Sequence, residues 1–174
     1  MSVFETERLV MRPWREDDAE NLYKYASDPE VGPAAGWPVH TSVGDSLRVL
    51  REVLIEDKTW AVTIKPSDEP VGSIGAFPTD ASGADGEPEI GYWIGRPYWG
   101  NGYIPEAVCA LIGHCFDEGA ENVWCSHFAG NDKSRRVIEK CGFRYVMTQP
   151  WQPMPEDTRD ALYYKITRKE WEHD

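Results

Sequence analysis

The run Glu89-Ile-Gly-Tyr-Trp-Ile-Gly95, continued by Arg96-Pro-Tyr-Trp-Gly-Asn-Gly-Tyr103 and Ile104-Pro-Glu-Ala-Val108, constrains the rest of the chain more than any other stretch. Its first part is short and rich in β-branched and aromatic residues, which predicts a buried strand. From Ile104 onward, apolar side chains recur at helical spacing. Between the two, Gly100 and Gly102 lack a Cβ, so the backbone there can take positive φ and let another group approach closely. Pro105 suits the first turn of a helix, where its missing N–H costs nothing. A strand, a glycine turn and a helix follow, with the N–H groups from Gly100 to Ile104 directed outward along a helix N-terminus, where a phosphate or pyrophosphate is favoured. A dinucleotide fingerprint would need a third glycine where Pro105 stands, and a P-loop would need Gly-Lys-Ser/Thr after a longer gap; neither is present. A plain tight turn is the other reading of two glycines so spaced.

The flanking sequence supplies further elements. Arg8 to Arg12 reads as a strand ended by Pro13, and Arg15 to Ser27 as a helix with Glu16, Asp17 and Asp18 in its first turn and Ala19, Leu22, Tyr23 and Ala26 on one face. Residues 31–40, interrupted by glycine and proline, read as a loop, and Thr41 or Ser42 can cap a helix running to about Glu56. Strands are expected at Trp60 to Ile64 and Val71 to Phe77, joined as a hairpin by the turn-rich residues 65–70. A loop over residues 79–88 leads to the strand at Glu89. The central helix ends near Gly119, a strand at Val123 to Phe128 runs parallel to the one at Glu89, Asn131 caps a helix ending at Gly142, and two last strands lie at Phe143 to Met147 and Ala161 to Thr167, with Trp151, Pro153 and Pro155 in the loop between them. There is no repeat, low-complexity segment or linker, so residues 1–174 are expected to form a single domain.

Composition excludes several classes of function. A formal net charge of −12 argues against a nucleic-acid binder and suits a cationic partner such as an amine or a basic peptide, or serves solubility alone. No long apolar run or signal-like N-terminus is present, so no membrane partner is expected and the chain reads as soluble and cytoplasmic. Cys109, Cys115, Cys125 and Cys141 are not spaced as CxxC pairs, and the four histidines show no ligand spacing, so neither disulfides nor a metal are expected. Whether the chain is a monomer or a homodimer is left open.

A second motif narrows the reading. Asn131-Asp-Lys-Ser134-Arg-Arg-Val-Ile-Glu139-Lys-Cys-Gly-Phe143 resembles the segment Asn-x-x-Ser-x-x-x-x-Glu-Lys-x-Gly-Phe of the GNAT N-acetyltransferases. The glycine turn is similar to the same family's acyl-CoA pyrophosphate loop. The likeness is nearest to the RimJ/RimL-type branch, in which that loop reads Tyr-Trp-Gly-x-Gly-Tyr, as at residues 98–103. Thr6-Glu-Arg-Leu-x-x-Arg-Pro13 with an acidic cluster beyond is also how that branch begins.

The resemblance implies an α/β GNAT fold: a mixed, mostly antiparallel sheet of about seven strands, helices on both faces, and a parallel pair splayed to admit the cofactor. It implies acetyl transfer from acetyl-CoA to a primary amine in a ternary complex, the acceptor being a protein N-terminal α-amine or a small amine, amino acid or antibiotic. A CoA-binding module without turnover is the alternative. Carried onto this sequence, it implies that Tyr92, Trp93 and Ile94 pair with the pantetheine arm. The backbone of Gly100, Asn101, Gly102, Tyr103 and Ile104 would hold the pyrophosphate, with Trp99 on the cofactor side or part of an aromatic pocket, and Asn131 would bond the pantetheine or fix its neighbouring strand. Arg96 and Arg136 would contact phosphate or nucleotide, or else serve as solvated charge. Glu89 would be the base that deprotonates the amine, unless it faces solvent at its strand end. Ser134 would serve the thiolate leaving group, unless it only bonds its own helix. Glu106, beside the anion site, is expected to point outward or toward substrate. Trp37 and Trp151 are candidate walls of the acceptor pocket.

Overall fold

The computed structural model describes residues 1–57 and 59–173. Strand β1 (Phe4–Glu5) turns into β2 (Leu9–Pro13), and a 3₁₀ turn at Glu16–Asp18 leads into α1 (Ala19–Ala26). Helices α2 (Gly32–Ala35) and α3 (Val43–Val49) follow, the second prolonged by a π turn at Leu50–Leu54. Then come β3 (Trp60–Ile64), β4 (Pro70–Pro78), β5 (Pro88–Ile94), α4 (Tyr103–Asp117), β6 (Asn122–Phe128), α5 (Asp132–Lys140), β7 (Arg144–Met154), β8 (Asp157–Thr167) and α6 (Arg168–His173). Among the described residues, eight strands make one mixed sheet in the order β1-β2-β3-β4-β5-β6-β8-β7, with helices around it. β5 and β6 are its parallel pair, with Glu89 opposite Trp124 and Ile90 opposite Cys125, as a crossover through α4 requires. No helix among the described residues is long and apolar enough to cross a membrane.

Two compact units emerge, residues 1–75 with 92–107 and residues 76–91 with 108–174. In the first, one face of α1 is apolar, and Ala19, Leu22 and Ala26 bury it with Trp14, Leu50 and Ala61. Each fully buried leucine of this set contributes about 1.5–3 kcal/mol of transfer free energy. Arg12 is buried with them. Its guanidinium forks onto Asp18 at 2.8 and 2.9 Å and reaches Asp68 through Nε at 2.7 Å. The hydrogen bonds to Asp18 lead in raising its pKa above the ordinary arginine value. The acidic cluster after Pro13 therefore does more than favour a helix start, because one member neutralises a buried cation.

In the second unit, Trp124, Ala161 and Tyr163 on β6 and β8 pack against Ala81 and Ala84 from the loop before β5, so that loop lies folded onto the sheet. β6 and β8 run antiparallel with Cys125 opposite Tyr164 and Ser126 opposite Tyr163. Three departures from the sequence expectations are found here. Trp151 and Pro153 belong to β7 rather than to a loop, and β7 and β8, 11 residues each, pair as a hairpin. β7 is the last strand of the sheet, where proline removes no ladder hydrogen bond that the sheet needs. α6 was also unforeseen, although Thr167 and Glu170 form a reciprocal cap at its start. Residues 31–40, expected as a loop, contain the single turn of α2.

Candidate active site

After β5, a 3₁₀ turn at Arg96–Tyr98 brings the chain to the two glycines, both in the left-handed region with φ of 76° at Gly100 and 77° at Gly102. Only glycine takes that conformation at little cost, which is why the turn needs both. Its outline is held from inside: Trp99 Nε1 donates to Ile94 O at 2.9 Å, and the Asn101 amide donates to the carbonyls of Tyr98 and Trp99, both at 3.1 Å. None of the N–H groups of Gly100, Asn101, Gly102, Tyr103 and Ile104 meets an acceptor among the described residues. Five bare donors thus stand at the positive end of a 15-residue helix, an arrangement suited to an anion.

Arg8 braces this turn from the start of β2. Its Nε donates to Glu106 at 2.7 Å, Nη1 donates to Asn101 O at 2.8 Å, and the guanidinium lies 4.5 Å from the Tyr103 ring centre. Glu106 also accepts from the Thr6 hydroxyl at 2.5 Å and from Arg8 N–H at 2.9 Å. Burial pushes the Glu106 carboxyl up, yet the bonds from Thr6 and Arg8 outweigh it and leave the group below its ordinary value. The expectation that Glu106 points outward or toward substrate is therefore corrected: it is tied back to Thr6 and Arg8. Arg96 spends Nε and Nη2 on Asp28, at 2.8 and 2.5 Å. Tyr92 and Trp93 are half-buried and Ile94 is buried.

In the second unit, Glu89 sits at the start of β5. The Thr79 hydroxyl donates to one carboxylate oxygen at 2.6 Å and the Ser126 hydroxyl to the other at 2.5 Å. Nearby, burial first, and then the charges of Glu89 and Asp80, push the Tyr163 phenol up to about 12. A carboxylate held by two neutral hydroxyls keeps lone pairs to spare, so it can take a proton from an incoming group. At the start of α5, the Asn131 side chain accepts from Ser134 N–H at 3.2 Å, the expected cap. Ser134 is half-buried and Arg136 is exposed on the same helix. No group of three or more His, Cys, Asp and Glu among the described residues is placed to hold a metal ion.

A family model described as an acetyltransferase (GNAT) domain matches residues 8–144, well over half of the chain. The chain belongs to the GNAT acetyltransferases. Its relatives include the uncharacterized N-acetyltransferase p20 of Bacillus licheniformis, 34% identical over 121 residues, or 67% of this chain and 67% of p20. YdaF of Bacillus subtilis (strain 168), named as a candidate ribosomal N-acetyltransferase, is 36% identical over 86 residues, 48% of this chain and 47% of its own length. A GNAT acetyltransferase from Bacillus anthracis, known from its crystal structure, shares the fold with a TM-score of 0.83 at 24% identity, over 97% of this chain and 99% of that one.

Within this GNAT chain the two tryptophans singled out from sequence have different surroundings. Trp37 packs on the core that holds Leu22 and Leu50, its ring edge to face with Trp93 at 5.6 Å, while Trp151 is 40% exposed on β7. Sequence reasoning missed Arg8, Thr79, Ser126 and Tyr163. Their roles depend on partners as far as 98 residues away, and no local spacing announces them. Ser126 could have been found from strand register alone, since it lies two residues beyond Trp124, the residue opposite Glu89.

Proposed function

We propose that this GNAT protein moves an acetyl group from acetyl-CoA to a primary amine by direct transfer in a ternary complex, and that the acceptor is a protein N-terminal α-amine. The carrying observation is the row of five N–H groups at Gly100–Ile104 that meet no acceptor among the described residues, a cradle that fits a diphosphate and that side chains at the two positive-φ glycines would disturb. In the first unit, those amides hold the diphosphate and the end of β5, Tyr92 to Ile94, offers backbone to the pantetheine amides. Arg96, committed to Asp28, is not asked to bind phosphate. Acetyl-CoA, when bound, supplies an acetyl group activated as a thioester.

In the second unit, Glu89 takes the proton that the attacking amine must lose, directly or through one water. An amine is mostly protonated near neutral pH, and Thr79 and Ser126 hold the carboxylate in one orientation to receive that proton. Ser134, beside the cap of α5, serves the departing thiolate, and Asn131 and Arg136 belong to the cofactor side. Trp37 and Trp151 serve the acceptor. Residues 1–174 act as one acetyltransferase domain, since the matched segment draws on both units.

The RimJ/RimL-like loop and opening motif support the choice of acceptor, as does the partial likeness to YdaF. The net charge of −12 raises the local concentration of cationic acceptors. Thiol release from acetyl-CoA, followed across peptides with free and with blocked N-termini and across small amines, tests it. Sustained turnover confined to free N-termini is expected. Turnover only with small amines overturns the choice of acceptor, and CoA binding without turnover on any acceptor overturns catalysis itself.

A further inference from the structure

A diphosphate carries more negative charge than the half charge of a helix N-terminus offsets, so a cation beside the bare amides would complete the match. The first unit has few to offer. Every arginine and lysine of that unit among the described residues is paired with a carboxylate. Arg96, the cation nearest the glycine turn in sequence, spends both Nε and Nη2 on Asp28. Arg8 differs from the rest in that its guanidinium also bonds the turn, through Nη1 to Asn101 O at 2.8 Å, while its pairing with Glu106 runs through Nε at 2.7 Å. Nη2 meets no acceptor among the described residues.

That nitrogen lies against the turn. A side chain at Gly102 would begin 3.4 Å from Nη2, so the guanidinium borders a residue whose N–H is bare and whose missing Cβ leaves room beside it. Three contacts fix the group before any ligand arrives: the bonds to Glu106 and to Asn101 O, and the Tyr103 ring, whose centre is 4.5 Å from the guanidinium carbon. A guanidinium so held presents its remaining donors to an oxyanion with little further loss of rotamer freedom. The side chain is 42% exposed, so a ligand can reach it.

We propose that Arg8 is a cofactor-binding residue whose Nη2 donates to a phosphate oxygen of the acyl-CoA diphosphate seated on the amides of residues 100–104. The inference rests on the cradle reading of the proposed function and adds the side chain that meets the ligand's charge there. One arginine then has two duties: Nε and Nη1 hold the turn in shape, and Nη2 holds what binds to it. In a chain of net charge −12, this cation also sets the anion site apart from its surroundings.

The test titrates the full chain calorimetrically with CoA and with pantetheine, which lacks the diphosphate. Arg8→Gln is expected to weaken CoA binding about 10- to 30-fold, the low end for a charge-assisted hydrogen bond because the side chain is partly exposed, and to leave pantetheine binding as it is. Arg8→Lys is expected to recover part of that loss, since the charge returns without the fork. Glu106→Gln is expected to stay within about threefold of the wild type, because it removes the counter-charge and keeps the guanidinium. Equal losses of CoA affinity in Arg8→Gln, Arg8→Lys and Glu106→Gln mean that Arg8 only shapes the turn, and overturn the proposal while the cradle stands. A wild type that binds CoA no more tightly than pantetheine overturns the cradle reading as well. One reading needs no variant to fold: in the wild-type chain CoA, but not pantetheine, is expected to protect Arg8 from phenylglyoxal, followed by peptide mass mapping. Modification of Arg8 at the same rate with and without CoA overturns the contact.

Discussion

The start of α4 and the start of β5 each hold a glutamate, and they hold it by opposite means. Glu106 accepts from a guanidinium, a backbone N–H and a hydroxyl, and its side chain is 19% exposed. Glu89 accepts from two neutral hydroxyls, and among the described residues no lysine or arginine is paired with it. A carboxylate with a cation attached gives up little by staying charged and holds a proton weakly. One fixed by neutral hydroxyls is just as well oriented and keeps lone pairs open to an incoming group. The first arrangement makes a strut for the glycine turn, since Arg8 reaches from Glu106 to Asn101 O; the second suits the base proposed for acetyl transfer.

The contrast breaks first at Glu89. Glu89→Gln preserves shape and both hydroxyl contacts but cannot take a proton, so kcat for acetyl transfer is expected to fall about 10²- to 10⁴-fold with CoA affinity retained. A pH–rate profile identical to that of the wild type removes Glu89 from the mechanism. At the other region the largest effect is expected from Gly102→Val. A β-branched residue at φ of 77° is strained by about 1–3 kcal/mol, and its Cβ would stand 3.4 Å from Arg8 Nη2. The expected outcome, read by calorimetric titration with CoA, is affinity weaker by tens-fold. Unchanged affinity places the diphosphate elsewhere.

The sequence made these two regions legible to different degrees. The strand, glycine turn and helix around residues 89–108 could be read because each signal is local: a short run of β-branched and aromatic residues, two glycines, Pro105 in a first turn. The same holds for Asn131 at the start of α5 and Ser42 at the start of α3, whose side chains cap within three residues. What was not legible is carried by contacts across the fold. Arg8 and Glu106 lie 98 residues apart, and nothing in either neighbourhood points to the other. The β7–β8 hairpin was cut short in the sequence reading because Pro153 looks like a breaker, and only the place of β7 at the edge of the sheet makes it harmless. β1, with two residues, is too short to show alternation.

Third in size is Glu106→Gln, which leaves Arg8 without its counter-charge. The lost charge-assisted bonds, discounted because Arg8 is 42% exposed, amount to about 1–2 kcal/mol of stability. The sign with pH is fixed. Because the folded-state value of Glu106 lies below the unfolded one, its stabilisation is present above the ordinary carboxylate value and is lost as pH falls through the folded value. Thermal melts should therefore separate wild type from variant near pH 7 and bring them together only once the pH has fallen through the folded-state value, below the ordinary carboxylate value. A gap that stays constant with pH would mean that the ion pair carries no stabilisation.

The smallest expected effect is the most discriminating. Ser126→Ala and Thr79→Val each remove one hydroxyl donor from Glu89 and leave the carboxylate itself in place. Those two bonds fix the orientation in which the carboxylate receives the proton, so each deletion loosens the base without removing it. kcat near neutral pH should fall about 3- to 10-fold in each variant and further in the double variant, the size of one neutral hydrogen bond each. Thr6→Val removes a hydroxyl from Glu106 in the same way, but there the cation and the backbone N–H remain, and no step of transfer is assigned to that carboxylate. Its kcat should stay at the wild-type level. If Thr6→Val lowers kcat and Ser126→Ala does not, the two glutamates have been assigned the wrong way round, because only the group that takes the proton carries its hydrogen bonds into the rate of transfer.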